Sequence, residues 1–313
     1  MVETRIIEVP AGIDAGTQIP VTTIQGSRPG PVLALIAGNH GYEYPPILAL
    51  QKIAGLVDDA TLAGTVILVH VANMPSFLGR TVYFSPIDGK NLNRVYPGRQ
   101  DGTVSDRIAY AITTEIIEKA DCVLDLHCGD GNEWLRPYVY QTITGHAEID
   151  GMIGGLALAF GIDHILLDHG RPTDPARSLY CSTTAITRGK PAITVECGYL
   201  GTSDPQAVNQ IIAGIQGVML HLKMTATGPQ SLSRPIYLDP SEVIMSPATG
   251  ILYAHVERDQ TVAKGAVLAH VTDFFGKMIA EVVSPIDGLV LYVVATPPIT
   301  KGQPVACIAT VKS

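Results

Sequence analysis

Charge is scarce in this chain. Only 16% of its 313 residues are Asp, Glu, Lys or Arg, against 46% hydrophobic. That leaves little room for disorder and ample material for a large buried core. Basic runs are missing, as is any interleaving of aromatic with basic residues. With 21 Lys+Arg against 29 Asp+Glu and a net charge of −8, the balance argues against a nucleic-acid partner. Nowhere does the chain reach the roughly 18 uninterrupted apolar residues of a membrane helix, so no membrane partner is expected. The opening MVETRIIEVPAG lacks the basic region and apolar stretch of a secretory signal. The five cysteines (122, 128, 181, 197 and 307) are odd in number and show no CxxC spacing. A reduced, cytoplasmic enzyme is expected.

What is present divides in two, and 313 residues are long for one domain and comfortable for two. From about residue 30 to 225, apolar β-rich runs alternate with helical patterns. VLALIA (32–37), TVILVHV (65–71), CVLDLH (122–127) and AITVE (192–196) read as strands buried on both faces. Pro45 and Pro46 suit the first turn of a helix. SDRIAYAITTEIIEKA (105–120) opens with a Ser cap and DPQAVNQIIAGIQGVMLHLK (204–223) with an Asp cap. This predicts a layered α/β domain over residues 1–228. After the Gly/Pro/Ser-rich TATGPQSLSRP, residues 236–313 read as strands without a convincing helix, and they repeat. SPATGILYAHV (246–256) answers SPIDGLVLYVV (284–294), and VAKGAVLAHV (262–271) answers ITKGQPVACI (299–308). Two interlocked halves of a small β-sandwich are expected, resembling the biotinyl/lipoyl barrel-sandwich fold.

Four stretches carry chemistry. GNHGYE (38–43) brings His40 and Glu43 together at a Gly-rich turn. Alone it is equally a strand-to-helix turn with incidental polar residues; joined by another ligand it is half of a metal site, since catalytic zinc wants about three His/Asp/Glu ligands and an open position. VLDLHCGD ends a buried strand on His127, with Asp125 two places earlier on the same face as a second carboxylate or a local contact. PAITVECG ends another on Glu196, a loop salt bridge or a general base. NMPSFLGRTVYFSPIDGKNLNRVYPG (73–98) is long, polar and helix-poor, with Arg80, Asp88, Asn93 and Arg94. Segments of that length without regular structure are usually functional or disordered; this one holds too many aromatics and prolines to read as disordered, and arginines grip carboxylates or a developing oxyanion. The remaining histidines read as structural or surface groups, and Cys128 and Cys197 as packing residues.

In this order GNHGYE, N-x-P-x-F…R…D-G-x-N-L-N-R-x-Y-P-G, D-L-H and V-E-C-G resemble the succinylglutamate desuccinylase/aspartoacylase family, a branch of the zinc carboxypeptidase-like fold. The resemblance spans roughly residues 30–200. It implies one zinc held by His40, Glu43 and His127, with Glu196 as the base that activates water at the zinc and later protonates the leaving amine. Arg80 would polarise the amide carbonyl, and Asn93 and Arg94 would hold the α-carboxylate of a small N-acyl amino acid. Two departures stand out. Asn91 occupies the place where the block usually reads Asp. Tyr180 is followed four residues later by Thr184 rather than by the Arg that serves a side-chain carboxylate. That departure argues against N-acetylaspartate and for a neutral or basic side chain, with an N-acetyl diamino acid as a reasonable candidate, and Tyr180 either touches substrate or packs. Self-association into a homo-oligomer is left open. Two rival readings remain: a metallocarboxypeptidase on short peptides, and a lipoyl-type carrier or scaffold modified at Lys277 in KMIAEVVSP.

Overall fold

A computed structural model of the chain describes residues 1–312. β1 (Val2–Val9) and β2 (Thr17–Gln25) pair antiparallel. The α/β layer follows as β3 (Arg28–Ala37), α1 (Tyr44–Leu56), β4 (Ala63–Val69), α2 (Met74–Gly79), α3 (Val104–Glu115) and β5 (Cys122–Gly129). Then come β6 (Glu133–Leu135), β7 (Tyr138–Thr142), α4 (Ala147–Phe160), β8 (His164–Asp168), α5 (Cys181–Ile186), β9 (Ala192–Tyr199) and α6 (Pro205–His221). The four apolar runs of the sequence lie on β3, β4, β5 and β9, which are parallel neighbours at the heart of a mixed sheet. Helices on both faces bury them, which is why these strands are apolar throughout rather than alternating; all eight residues of β5 are buried.

Helix starts follow local chemistry. Asp204 caps α6 by accepting from Gln206 N at 3.0 Å. α3 departs from expectation: it is capped by Thr103, not Ser105. The Asp106 carboxylate takes the Thr103 N–H at 3.0 Å, and Ser105, inside the first turn, is drawn to Asp88 through its N–H and its hydroxyl. The carboxylate at the third helical position decides the start.

After α6 every described element is a strand: β10 (Ile236–Met245), β11 (Gly250–Ala254), β12 (Thr261–Val262), β13 (Val267–Thr272), β14 (Met278–Val283), β15 (Gly288–Val294), β16 (Pro298–Ile299) and β17 (Pro304–Val311). The repeat is visible in the pairing. β12 of the first half pairs with β15 of the second (Val262↔Gly288), and β16 of the second pairs with β11 of the first (Gly250↔Ile299). Each half completes the other. Ser246 and Ser284 make the same local bond, hydroxyl to the carbonyl two residues on, at 2.7 Å in both.

The two regions share hydrogen bonds. β10 runs parallel to β8 (Ile236↔His164), so a single 13-stranded sheet passes from the α/β layer into the C-terminal strands. β15 also pairs with β6 (Tyr292↔Leu135). Separate apolar clusters fill the α/β layer and the C-terminal part, and a third, including Leu135, Tyr138, Leu238 and Leu291, lies between them.

Candidate functional site

The site grows from the carboxyl end of the parallel strands, where α/β sheets collect ligands. β3 ends at Ala37, and Gly38 turns the chain with φ +75°. Gly41 is needed for space: a Cβ there would stand 2.3 Å from Ser76 O and 2.4 Å from Thr81 O. Pro45 and Pro46 then open α1, where missing N–H groups cost nothing. Glu43 occupies the cap position but makes no cap bond. Its carboxylate is turned inward instead.

There Glu43 Oε1 meets His40 Nδ1 at 2.8 Å and His127 Nδ1 at 3.0 Å. All three residues are buried, and their ligand atoms lie within 4.8 Å of one another. The opposite ring nitrogens are held by oxygen. His127 Nε2 lies 2.8 Å from Asp125 Oδ1, and His40 Nε2 lies 3.1 Å from Asn91 Oδ1. An acceptor at Nε2 keeps the proton there and leaves the Nδ1 lone pair for a cation. Two imidazole nitrogens and one carboxylate, each fixed from behind, fit a catalytic zinc with an open position. Asn91 thus takes up the orienting task with an amide oxygen at the place where an Asp was expected.

The charges agree. Burial pushes the Glu43 carboxyl up, but His127 and His40 outweigh it and hold Glu43 far below the usual carboxylate range. For His127, burial pulls down and the Asp125 and Glu43 carboxylates overcome it, raising the imidazole well above its ordinary value.

Glu196 stands beside His127 across the β5–β9 pairing. It accepts no hydrogen bond from any described residue, and burial first, then the Glu43 and Glu133 charges, pushes its carboxyl well above the ordinary range, against the pull of His127. A poised, unencumbered carboxyl beside a ligand cluster suits proton transfer.

These groups open into a cleft of about 670 Å³ that also holds Asn93, Arg94 and Tyr180. Asn93 is buried and already engaged: its Oδ1 accepts from Cys181 N at 2.7 Å and its Nδ2 lies 3.1 Å from His127 Nε2. Arg94 lies over the Tyr180 ring at 4.6 Å. Arg80 is not brought in. It is exposed at the end of α2 and lines a neighbouring depression with Tyr44 and Leu78. The aromatic of the same segment that does face the ligands is Tyr83, held at φ +58°, its ring edge-on to His40 at 6.1 Å and its hydroxyl donating to Glu133 Oε1 at 2.5 Å.

Tyr83, Glu133, Asp168, His169, Arg171 and Tyr292 line the cleft without having been singled out as site residues in the sequence, as do Val243, Met245 and Gly302–Pro304 from the C-terminal strands. Asp168 and Arg171 sat in DHGR at a strand end, a legible signal. The C-terminal contributions depend on long-range pairing. Phe274 and Phe275 are exposed at the β13–β14 turn and lie outside the cleft lining.

The sequence model of the Succinylglutamate desuccinylase/Aspartoacylase catalytic domain matches residues 29–222. The chain belongs to this family. Among curated relatives of the succinylglutamate desuccinylase/aspartoacylase family, the N-alpha-acetyl-L-2,4-diaminobutyric acid deacetylase of Halomonas elongata is 34% identical over 270 residues, covering 84% of this chain and 77% of that protein. Among solved members, the product-bound ectoine utilization protein EutE (DoeB) of Ruegeria pomeroyi shares 26% identity with a TM-score of 0.86, covering 99% of this chain and 95% of that one. A succinylglutamate desuccinylase from Silicibacter sp. gives the same TM-score and coverage at 25% identity. The family therefore extends over the catalytic layer, and the likeness in fold includes the C-terminal strands.

Proposed function

We propose that the chain is a zinc-dependent deacylase that hydrolyses the amide bond of a small N-acyl amino acid, with an N-acetyl diamino acid as substrate. The observation that carries this reading is the convergence of His40 Nδ1, Glu43 and His127 Nδ1 at one point, with the unbonded Glu196 alongside. The relatives' names add the acyl and amino-acid classes.

The chemistry a divalent cation would supply at this point is polarisation of the amide carbonyl and acidification of water. His40, Glu43 and His127 would hold it, and Asp125 and Asn91 fix the two imidazoles from behind. Glu196 takes the proton of the attacking water and returns it to the departing amine, which needs a carboxyl whose pKa burial has already raised. Arg94, braced on Tyr180, binds the substrate's α-carboxylate, and Asn93 keeps the α5 start and His127 in register. Tyr83, which lines the cleft where Arg80 does not, would turn its hydroxyl from Glu133 to the carbonyl oxygen as negative charge develops there.

On this reading residues 1–228 form the catalytic domain, and 236–313 form a barrel-sandwich module whose interlocked pairing follows the internal repeat. That module supplies cleft wall through Val243, Met245 and Gly302–Pro304. No described helix is long and apolar enough to cross a membrane, and the enzyme is proposed to work in the cytoplasm on a small molecule. Metal analysis together with a panel of N-acetyl and N-succinyl amino acids and short peptides tests the proposal. About one zinc per chain and turnover of an N-acetyl amino acid are expected. Cleavage of peptides with the amino acids ignored would select the carboxypeptidase reading instead.

A further inference from the structure

A second charged group in the cleft is not used by the hydrolytic machinery. Arg171, from the loop after β8, lies over Tyr180 at 4.0 Å and over Tyr140 at 5.7 Å. Arg94 lies over the same Tyr180 ring at 4.6 Å. Arg171 Nε donates to Asp168 Oδ2 at the end of β8. The other oxygen of Asp168 has no hydrogen-bond partner among the described residues, and Asp168 lines the cleft together with Arg94, Tyr180 and Glu196. Four residues beyond Tyr180, Thr184 is buried and spent on local bonds to Ser178 Oγ at 2.6 Å and Tyr180 O at 2.8 Å. No cation enters from α5.

The chemistry of this group favours one sign of side chain. A second substrate carboxylate would have to share one guanidinium with Asp168, setting two carboxylates against each other. Arg171 is also eased by two aromatic faces, whereas Asp168 has Arg171 as its sole ion-pair partner among the described residues. Burial pushes the Asp168 carboxyl up, and Arg171 restores only part of the shift. An acceptor with a free oxygen in such a place is satisfied by an incoming N–H donor, and an ammonium brings three.

We propose that Asp168 selects the side chain of the substrate: its free oxygen receives a terminal ammonium while Arg94, on the same Tyr180 ring, holds the α-carboxylate. The ligand class is an N-acetyl α-amino acid whose short side chain ends in an ammonium group. The inference rests on the deacylase reading and adds to it the residue that sets specificity.

The test is a ratio. kcat/KM is measured for N-α-acetyl-2,4-diaminobutyrate and for N-acetylnorvaline, which has a methyl in place of the ammonium, with N-acetylglutamate as the acidic member. The zinc-loaded wild-type protein is expected to prefer the diaminobutyrate substrate over the norvaline one by about 30-fold or more. Asp168→Asn should reduce that ratio at least tenfold and raise the relative rate on N-acetylglutamate, because Arg171 loses its counter-charge. Asp168→Glu should retain a preference for the ammonium. Zinc content and melting temperature of both variants identify any loss of fold, and Asp168→Glu keeps the test alive if Asp168→Asn does not fold. A wild-type protein that hydrolyses the neutral or acidic substrate as well as the diaminobutyrate one overturns this inference and leaves the deacylase reading standing. So does an equal loss on all three substrates in Asp168→Asn, the mark of a merely structural residue. Zinc-loaded protein inactive on every N-acyl amino acid overturns the deacylase reading itself.

Discussion

Glu196 and His127 are direct neighbours across the parallel β5–β9 pairing, the carboxylate of one taking no hydrogen bond from any described residue and the ring of the other engaged at both nitrogens. Their roles separate on that difference. Glu196→Ala should lower kcat by about 10²–10⁴-fold while zinc content stays at the wild-type level. His40→Ala should lose both. Zinc analysis beside steady-state kinetics reads the contrast, and a Glu196→Ala protein with normal turnover would remove it from the role of base.

Asn91 supports the metal ligand set through the His40 Nε2 contact at 3.1 Å. Asn91→Ala should therefore weaken zinc affinity by about 10–100-fold, measured by competition with a chromophoric chelator. Asn91→Asp should bind at least as tightly as the wild type, since a carboxylate is the stronger acceptor for an imidazole N–H.

Tyr83 and Arg80 belong to one segment but face different cavities. Tyr83→Phe should cost about 10-fold or more in kcat with little change in KM, as expected for a donor engaged mainly in the transition state. Arg80→Ala should be milder. The reverse order would place the carbonyl-polarising group on Arg80 after all.

Glu133 gives a pH signature independent of zinc. Burial first, with the Asp130 and Glu43 charges adding to it, pushes its carboxyl up to about 7 from 4.5, against the Tyr83 hydroxyl. A carboxyl with a raised folded pKa contributes stability that is fully present below its unfolded pKa and is lost as pH rises to the folded one. Relative to Glu133→Gln, the wild-type apo-protein should lose on the order of 2–3 kcal/mol between about pH 4.5 and 7. Urea titrations of the two proteins across that window measure the difference. A constant gap between them would mean that Glu133 is not a buried titrating group.

The parallel strands were readable because burial on both faces strips them of alternation, and β3, β4, β5 and β9 sit where VLALIA, TVILVHV, CVLDLH and AITVE predict. His40, Glu43, His127 and Glu196 were readable because each sits at a strand end beside glycine or its own short motif. Arg80 was placed by its position in a motif, but its side-chain direction depends on the left-handed backbone at Arg80 (φ +50°) and Tyr83 (φ +58°), which composition does not announce. Ser105 lost the cap of α3 to Thr103 because the deciding carboxylate, Asp106, lies one residue beyond it. His255 and His270 had no telling spacing, yet cross-strand pairing stacks their rings at 4.8 Å. His169, read as a surface or structural residue, turns out to line the cleft. Contacts of this kind depend on register over long loops.

The parallel docking of β10 on β8 has a consequence for any attempt to separate the two regions. Cutting the chain at the Gly/Pro/Ser linker would bare one edge of the apolar strand β8 over His164–Leu166, with unmet donors and acceptors. It would also uncover Leu135, Tyr138 and Leu166, which the C-terminal strands now cover. A fragment ending near residue 228 would present a sticky edge and seek another copy of itself. The C-terminal strands therefore double as the device that keeps the sheet they extend from polymerising.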